Sequence, residues 1–109
     1  MVGAKDNACT PGCPVQRAAE IIDGKWTTLI IRELLSGKKR YSELQKGLEG
    51  ISPKVLAARL KLLVEKGLVE RTVYPTIPPA TEYELTNLGK QLKRVISAMA
   101  EFGSLLQKV

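Results

Sequence analysis

Histidine is missing from all 109 residues. That removes the side chain most often used as a general base near neutral pH, and the commonest metal ligand. Cysteine occurs only twice, in Cys9-Thr10-Pro11-Gly12-Cys13. Two thiols make no disulfide scaffold, and in a reducing cytosol their default state is free. Without histidine they also leave a zinc site incomplete unless subunits share one. No apolar run approaches the roughly 18 residues that span a bilayer. The opening Met1-Val2-Gly3-Ala4-Lys5-Asp6-Asn7 has no apolar signal-peptide core, so the chain reads as cytoplasmic. A glycine-rich phosphate loop and a nucleophile–base pair are both missing. The cysteine spacing is one residue longer than a Cys-x-x-Cys redox pair, so an enzyme is not expected. Acidic residues are in deficit, 11 Asp and Glu against 17 Lys and Arg, a net charge of +6. Such an excess favours an anionic partner, nucleic acid first and a membrane surface second.

What is present fits one folded domain. Hydrophobic residues are 44% and charged residues 26% of the chain. A domain of this length buries a modest core alone, and a partner chain would add to it. Residues 1–12 read as a flexible segment and 13–109 as the folded domain.

Turn signals divide that domain. Pro14 starts a first helix with an apolar stripe at Val15, Ala18, Ala19 and Ile22, stopped by Asp23-Gly24. A second helix over about 25–35 is apolar around much of its circumference and reads as a core helix. Ser36-Gly37 ends it, and the basic cluster Lys38-Lys39-Arg40 follows. Ser42-Glu43-Leu44-Gln45 is a capping-box pattern, with Ser42 as the expected N-cap of a short third helix ending near Leu48. Ser52-Pro53 opens a fourth helix, because Ser is a good N-cap and Pro loses no hydrogen bond at the first helical position. Leu56, Leu60 and Leu63 form its buried seam, and Gly67 closes it. The period then changes to two over 68–74 and again over 81–85, around Pro75-Thr76-Ile77-Pro78-Pro79-Ala80. This predicts a hairpin with a proline-stiffened tip. Thr86 is the expected N-cap of one long last helix over about 87–107.

Two short helices joined by a tight turn, followed by a hairpin, describe a winged helix-turn-helix, mainly α with a small β-wing. A helix about 10–12 Å wide fits the major groove of B-DNA if its outward face is polar and basic. With the three leucines turned inward, the fourth helix presents Lys54, Val55, Ala57, Ala58, Arg59 and Lys61. Arg59 suits guanine edges, Lys54 and Lys61 suit phosphate or guanine, and the small residues permit close approach and thymine-methyl contact. Ser52, Pro53 and the free amides at the helix start suit a phosphate. Ser42 and Lys38, Lys39 and Arg40 lie where a phosphate backbone would pass. A basic amphipathic helix alone is also what a plain solvated face looks like; capped helix, turn, second helix and wing in series on a basic chain carry the reading. A winged helix serving only as a protein-interaction module would show a neutral or acidic fourth helix, and this one is basic. A membrane-surface role would need exposed apolar anchors, whereas the periodicity buries them.

These residues also resemble a family. Cys13-Pro14-Val15, Gly24-Lys25-Trp26-Thr27, Arg32-Glu33-Leu34-Leu35, Tyr41-Ser42-Glu43-Leu44, Ile51-Ser52-Pro53-Lys54-Val55-Leu56, Gly67-Leu68-Val69-Glu70-Arg71, Pro78-Pro79, Glu82-Tyr83 and Leu85-Thr86 are similar in order and spacing to the HxlR-type, MarR-like bacterial transcription regulators. The resemblance covers about residues 13–103. It implies a dimeric winged helix that binds operator DNA, with the helix from Ser52 as reader. Many members carry a basic residue just after the Pro-Pro pair; here that position is Ala80, so the wing should add little minor-groove charge.

The last helix carries Leu88, Leu92, Val95, Met99, Phe102, Leu106 and Val109 at alternating spacings of four and three, a heptad seam widened by Ile96 and Leu105. Packing onto its own domain would also explain a stripe, but the seam is long for so small a domain. A two-fold homodimer is expected, with Leu29 and Ile30, or Ala18 and Ile22, as opposing surface. It would present two readers to a pseudo-palindromic operator with half-sites about one helical turn apart. The resemblance places Cys13 where several members sense oxidants or electrophiles. The helix start beside it and Arg17 one turn on favour a thiolate there, with Cys9 as resolving partner or a bridge from Cys13 to a thiol of the other subunit; a plain unreactive thiol is the alternative. No cofactor is expected.

Overall fold

The computed structural model describes residues 12–106. The chain runs α1 (Pro14–Ile21), α2 (Lys25–Leu34), β1 (Lys39–Arg40), α3 (Tyr41–Gly47), α4 (Pro53–Glu65), β2 (Val69–Tyr74), β3 (Ala80–Leu85), α5 (Asn87–Lys90) and α6 (Leu92–Leu106). Cys9 and Val109 lie outside the described residues. No helix among those described is long and apolar enough to cross a membrane.

The core forms where the apolar faces of α2, α3 and α4 meet one face of the sheet. Ile30, Ile31 and Leu34 come from α2, Leu44 and Leu48 from α3 and its cap, and Leu56, Leu60 and Leu63 from α4. Leu68, Val69, Tyr83 and Leu85 close it from the strands. The three α4 leucines fall at spacings of four and three, so one stripe of a 3.6-residue helix carries them all inward. Each fully buried leucine contributes roughly 1.5–3 kcal/mol.

Local chemistry sets the ends of α4. The Ser52 hydroxyl accepts from Val55 N at 3.1 Å, as its N-cap position predicts. At the far end Gly67 N donates to Val64 O and Leu68 N to Leu63 O, both at 3.0 Å, with Gly67 at φ +78°. This paired closure needs a left-handed residue past the cap, which glycine adopts without a Cβ clash. The chain then enters β2 directly.

The sheet is antiparallel in the order β1-β3-β2. The hairpin was legible in the alternation; β1 was not. Lys39 pairs with Tyr83 and Arg40 with Glu82, so the linker before α3 becomes the third strand. The start of α3 also differs from expectation. Its N-cap is Arg40, not Ser42, and Arg40 N donates to Glu43 Oε1 at 2.8 Å. Ser42 sits inside the first turn. Gln45 reaches forward to Ile51 O at 2.7 Å instead of back to an amide.

The last helix is two helices. Thr86 caps α5, accepting from Gly89 N at 3.1 Å. Gln91 N then donates to Leu88 O, three residues back, and this tightened turn separates α5 from α6. Leu92 and Ile96 pack against the domain's own core. No residue of α6 is fully buried.

Candidate nucleic-acid interface

The α3–turn–α4 unit is tied by side chains. Gln45 closes the turn on Ile51 O, and the Tyr41 hydroxyl donates to Pro53 O at 3.1 Å, the first residue of α4. The Trp26 ring lies over Gly50 in the turn, 3.8 Å from where a Cβ would stand. Lys25 Nζ sits 4.5 Å from the centre of that ring.

Lys54, Ala57, Ala58 and Lys61 are exposed on the outer side of α4. Val55 and Arg59, expected in the same outward set, are half-buried on its flank. Val55 packs against the core. The Arg59 guanidinium lies beside the start of α2, where a Cβ on Gly24 would meet its Nη2 at 3.5 Å. The reason is angular. Positions 55 and 59 lie beside the inward line of 56 and 60, not opposite it. Ser52 and Pro53 are exposed at the head of the helix. The Ser52 oxygen is occupied by its capping bond, and its own proton is free to donate.

The basic run before α3 does not face one way. Lys38 is exposed, Lys39 is half-buried and Arg40 is exposed. Because successive strand residues alternate, Lys39 joins the Tyr83 face of the sheet and Arg40 the Glu82 face. An open trough of about 780 Å³ lies between the head of α3 and the wing, lined by Arg40, Tyr41, Ser42 and wing residues including Tyr74 and Glu82. On its wing side the Tyr74 hydroxyl donates to Glu82 Oε1 at 2.8 Å. That bond, and then the carboxylate's charge, raise the Tyr74 phenol above its ordinary value. The wing tip is uncharged, with Thr76 Oγ1 bonded to Pro78 O at 2.7 Å and Ile77 fully exposed.

This arrangement of a capped exposed helix, a tied turn and a wing matches known proteins. The HxlR-like helix-turn-helix model matches residues 21–108. The chain belongs to the HxlR-like helix-turn-helix family. A relative in Synechocystis, the HTH-type transcriptional regulator sll1512, is 42% identical over 92 residues, covering 84% of this chain and 68% of that protein. A solved MarR-family regulator from Porphyromonas gingivalis W83 superposes with a TM-score of 0.85 at 41% identity, covering 90% of this chain and 96% of that one. The redox regulator HypR in its oxidised form superposes with a TM-score of 0.78 at 35% identity, covering 84% of this chain and 95% of its own.

Two further groups of expected residues lie away from α4. Cys13 is the N-cap of α1, half-exposed, with its carbonyl accepting from Arg17 N at 2.9 Å. The heptad seam divides. Leu92 turns to its own domain, while Val95, Met99, Phe102 and Leu106 line an open groove along α6 of about 930 Å³. Leu88, on α5, is also exposed. Ile30 is wholly buried in its own core and is not available as an opposing surface; Leu29 packs on that core as well. In α1, by contrast, Val15, Ala18 and Ala19 are exposed.

Proposed function

We propose that this HxlR-like transcriptional regulator binds double-stranded operator DNA as a homodimer, with α4 in the major groove of each half-site. The observation that carries the reading is the outer face of α4, where Lys54, Ala58 and Lys61 stand clear of the core on a helix whose start is capped and whose turn is tied. Cations and small side chains on one exposed helix face suit phosphate contact and close approach to base edges. Ser52, Pro53, Ser42 and the Lys38–Arg40 segment serve the flanking backbone. Arg59 and Val55 contribute from the flank of the helix. The exposed apolar face of α6 and the uncovered stripe of α1 support the second chain, since burying them would complete a core that one chain leaves open. The dimer presents its two readers to a pseudo-palindromic site.

Cys13 is the input thiol in this reading. It is half-exposed at the start of α1, and HypR, a redox regulator, shares this fold. An oxidant or small electrophile reacting there alters DNA binding, with Cys9 or a thiol of the other subunit as resolving partner.

Fluorescence anisotropy on the DNA upstream of the protein's own gene, with reductant and again after a mild thiol oxidant, tests both parts. Salt-sensitive binding weakened by Lys54→Ala is expected. An oxidant response that Cys13→Ser abolishes, with basal binding intact, is expected as well. No binding at low salt would overturn the DNA reading, and an unchanged oxidant response in Cys13→Ser would overturn the thiol switch.

A further inference from the structure

Between the side of α4 and the sheet lies a notch of about 370 Å³, lined by Ala57, Lys61, Val64, Glu65, Arg71 and Tyr83. We propose that a DNA phosphodiester group docks in this notch, held by Lys61, Arg71 and the hydroxyl of Tyr83. The inference rests on the DNA-binding reading and adds two residues, Arg71 and Tyr83, to its contact set.

The first argument is geometric. A reader helix in the major groove and a wing at the adjacent minor groove have one phosphate strand between them. That strand must cross the seam where α4 meets the sheet, and the notch is the opening in that seam. Ala57 on its rim is small and exposed, so the backbone can approach closely.

The second argument is chemical. Tyr83 is 8% exposed. The hydroxyls of Tyr41 and Tyr74 each donate to an oxygen, whereas that of Tyr83 has no such partner among the described residues. Tyr83 lines the notch, where its hydroxyl is free to donate to an acceptor docked there. The pairing register puts Arg71 directly across from Tyr83 on one side and Lys39 on the other. The row therefore offers a donor between two cations on one face of the sheet. Glu65 is the one carboxylate on the wall, a helical turn beyond Lys61, and Lys61 and Arg71 outnumber it. An anion is the ligand that suits this set.

A phosphate contact carries no base information, so a labelled random-sequence duplex is the right probe. Full-length protein is titrated against it over a salt series, and thermal melts are recorded in parallel. Tyr83→Phe keeps the ring and should weaken binding about three- to tenfold with an unchanged salt slope and melt. Arg71→Gln should also weaken binding and flatten the log–log salt slope by about 0.9. A duplex with uncharged methylphosphonate linkages should bind both variants and the unaltered protein equally. Failure of the unaltered protein to bind any duplex overturns this proposal together with the DNA reading. Unaltered affinity in both variants, alongside a loss in Lys54→Ala, overturns the notch alone.

Discussion

Gly89 sits buried in the first turn of α5, where glycine costs up to about 1 kcal/mol relative to alanine. Replacing it with alanine should therefore stabilise the chain if nothing else were at stake. The structure says otherwise. A Cβ at this position would overlap the carbonyl oxygen of Leu68 and lie 3.0 Å from Leu85 Cδ2. Leu68 O cannot move freely, because it accepts from Thr86 N at 3.0 Å. Its neighbour Gly67 O accepts from Thr86 Oγ1 at 2.7 Å. Relieving the overlap would displace α5 from the end of α4 and weaken at least one of these bonds. Overpacking costs about 1–3 kcal/mol and a lost bond about 1 kcal/mol. Set against the propensity gain, Gly89→Ala should be net destabilising by about 1–3 kcal/mol. At roughly 4–8 °C per kcal/mol, the melt should fall by about 5–20 °C. The assay is urea and thermal unfolding at fixed protein concentration, since any association would otherwise shift the midpoint. Ser97→Ala on the exposed side of α6 is the matched control, expected to gain a few tenths of a kcal/mol from propensity alone. A Gly89→Ala protein as stable as the parent would refute the close-approach argument.

Three further outcomes follow from single residues. Thr27 is wholly buried, and its Oγ1 has no partner among the described residues; Thr27→Val should hold or raise stability by about 1 kcal/mol in urea unfolding, and a clear loss would mean that the hydroxyl is bonded. Glu70 and Glu84 stand directly opposite each other on exposed strand positions. Glu70→Thr should therefore stabilise by about 0.2–1 kcal/mol at low salt, with the gain shrinking as salt rises; a gain independent of salt would point to strand propensity instead. Ala80→Lys restores charge beside the Pro-Pro pair and should steepen the salt slope of DNA binding by about 0.9, and an unchanged slope would place the wing away from phosphate.

The parts of the fold that were legible in the sequence are those set by neighbours in the chain. Ser52-Pro53 starts α4, Gly67 ends it, and the strand period returns on both sides of the prolines. What the sequence hid depends on distant partners. A two-residue strand has no periodicity, so β1 exists only because Lys39 and Arg40 meet Tyr83 and Glu82. The cap at Arg40 follows from that strand, which ends where α3 begins; Glu43, three residues on, was the available signal. The break at Gln91 follows α5's docking through Gly89 against Leu68. A heptad stripe likewise cannot say which of its members its own domain will take. At the candidate interface, Lys54 and Lys61 lie where the leucine seam implied. The flanking place of Arg59 reflects an angle of the wheel and a neighbour in α2. Arg71 and Tyr83 were visible only as members of an alternating strand, and their place beside Lys61 depends on how the sheet packs on α4.

The two bonds that tie α3 to α4, from Gln45 and Tyr41, have a mechanical consequence. With Ile51 O and Pro53 O both held from α3, α4 is braced against tilting separately from its companion helix. The pair is a stiff strut, so a motion begun at α1 or along α6 would displace it whole. In a two-fold assembly such a motion changes the distance and phase between the two struts while leaving each one's own shape alone. In the proposed binding mode, DNA of fixed helical repeat would measure that distance, so a small change in it would be felt at both half-sites at once.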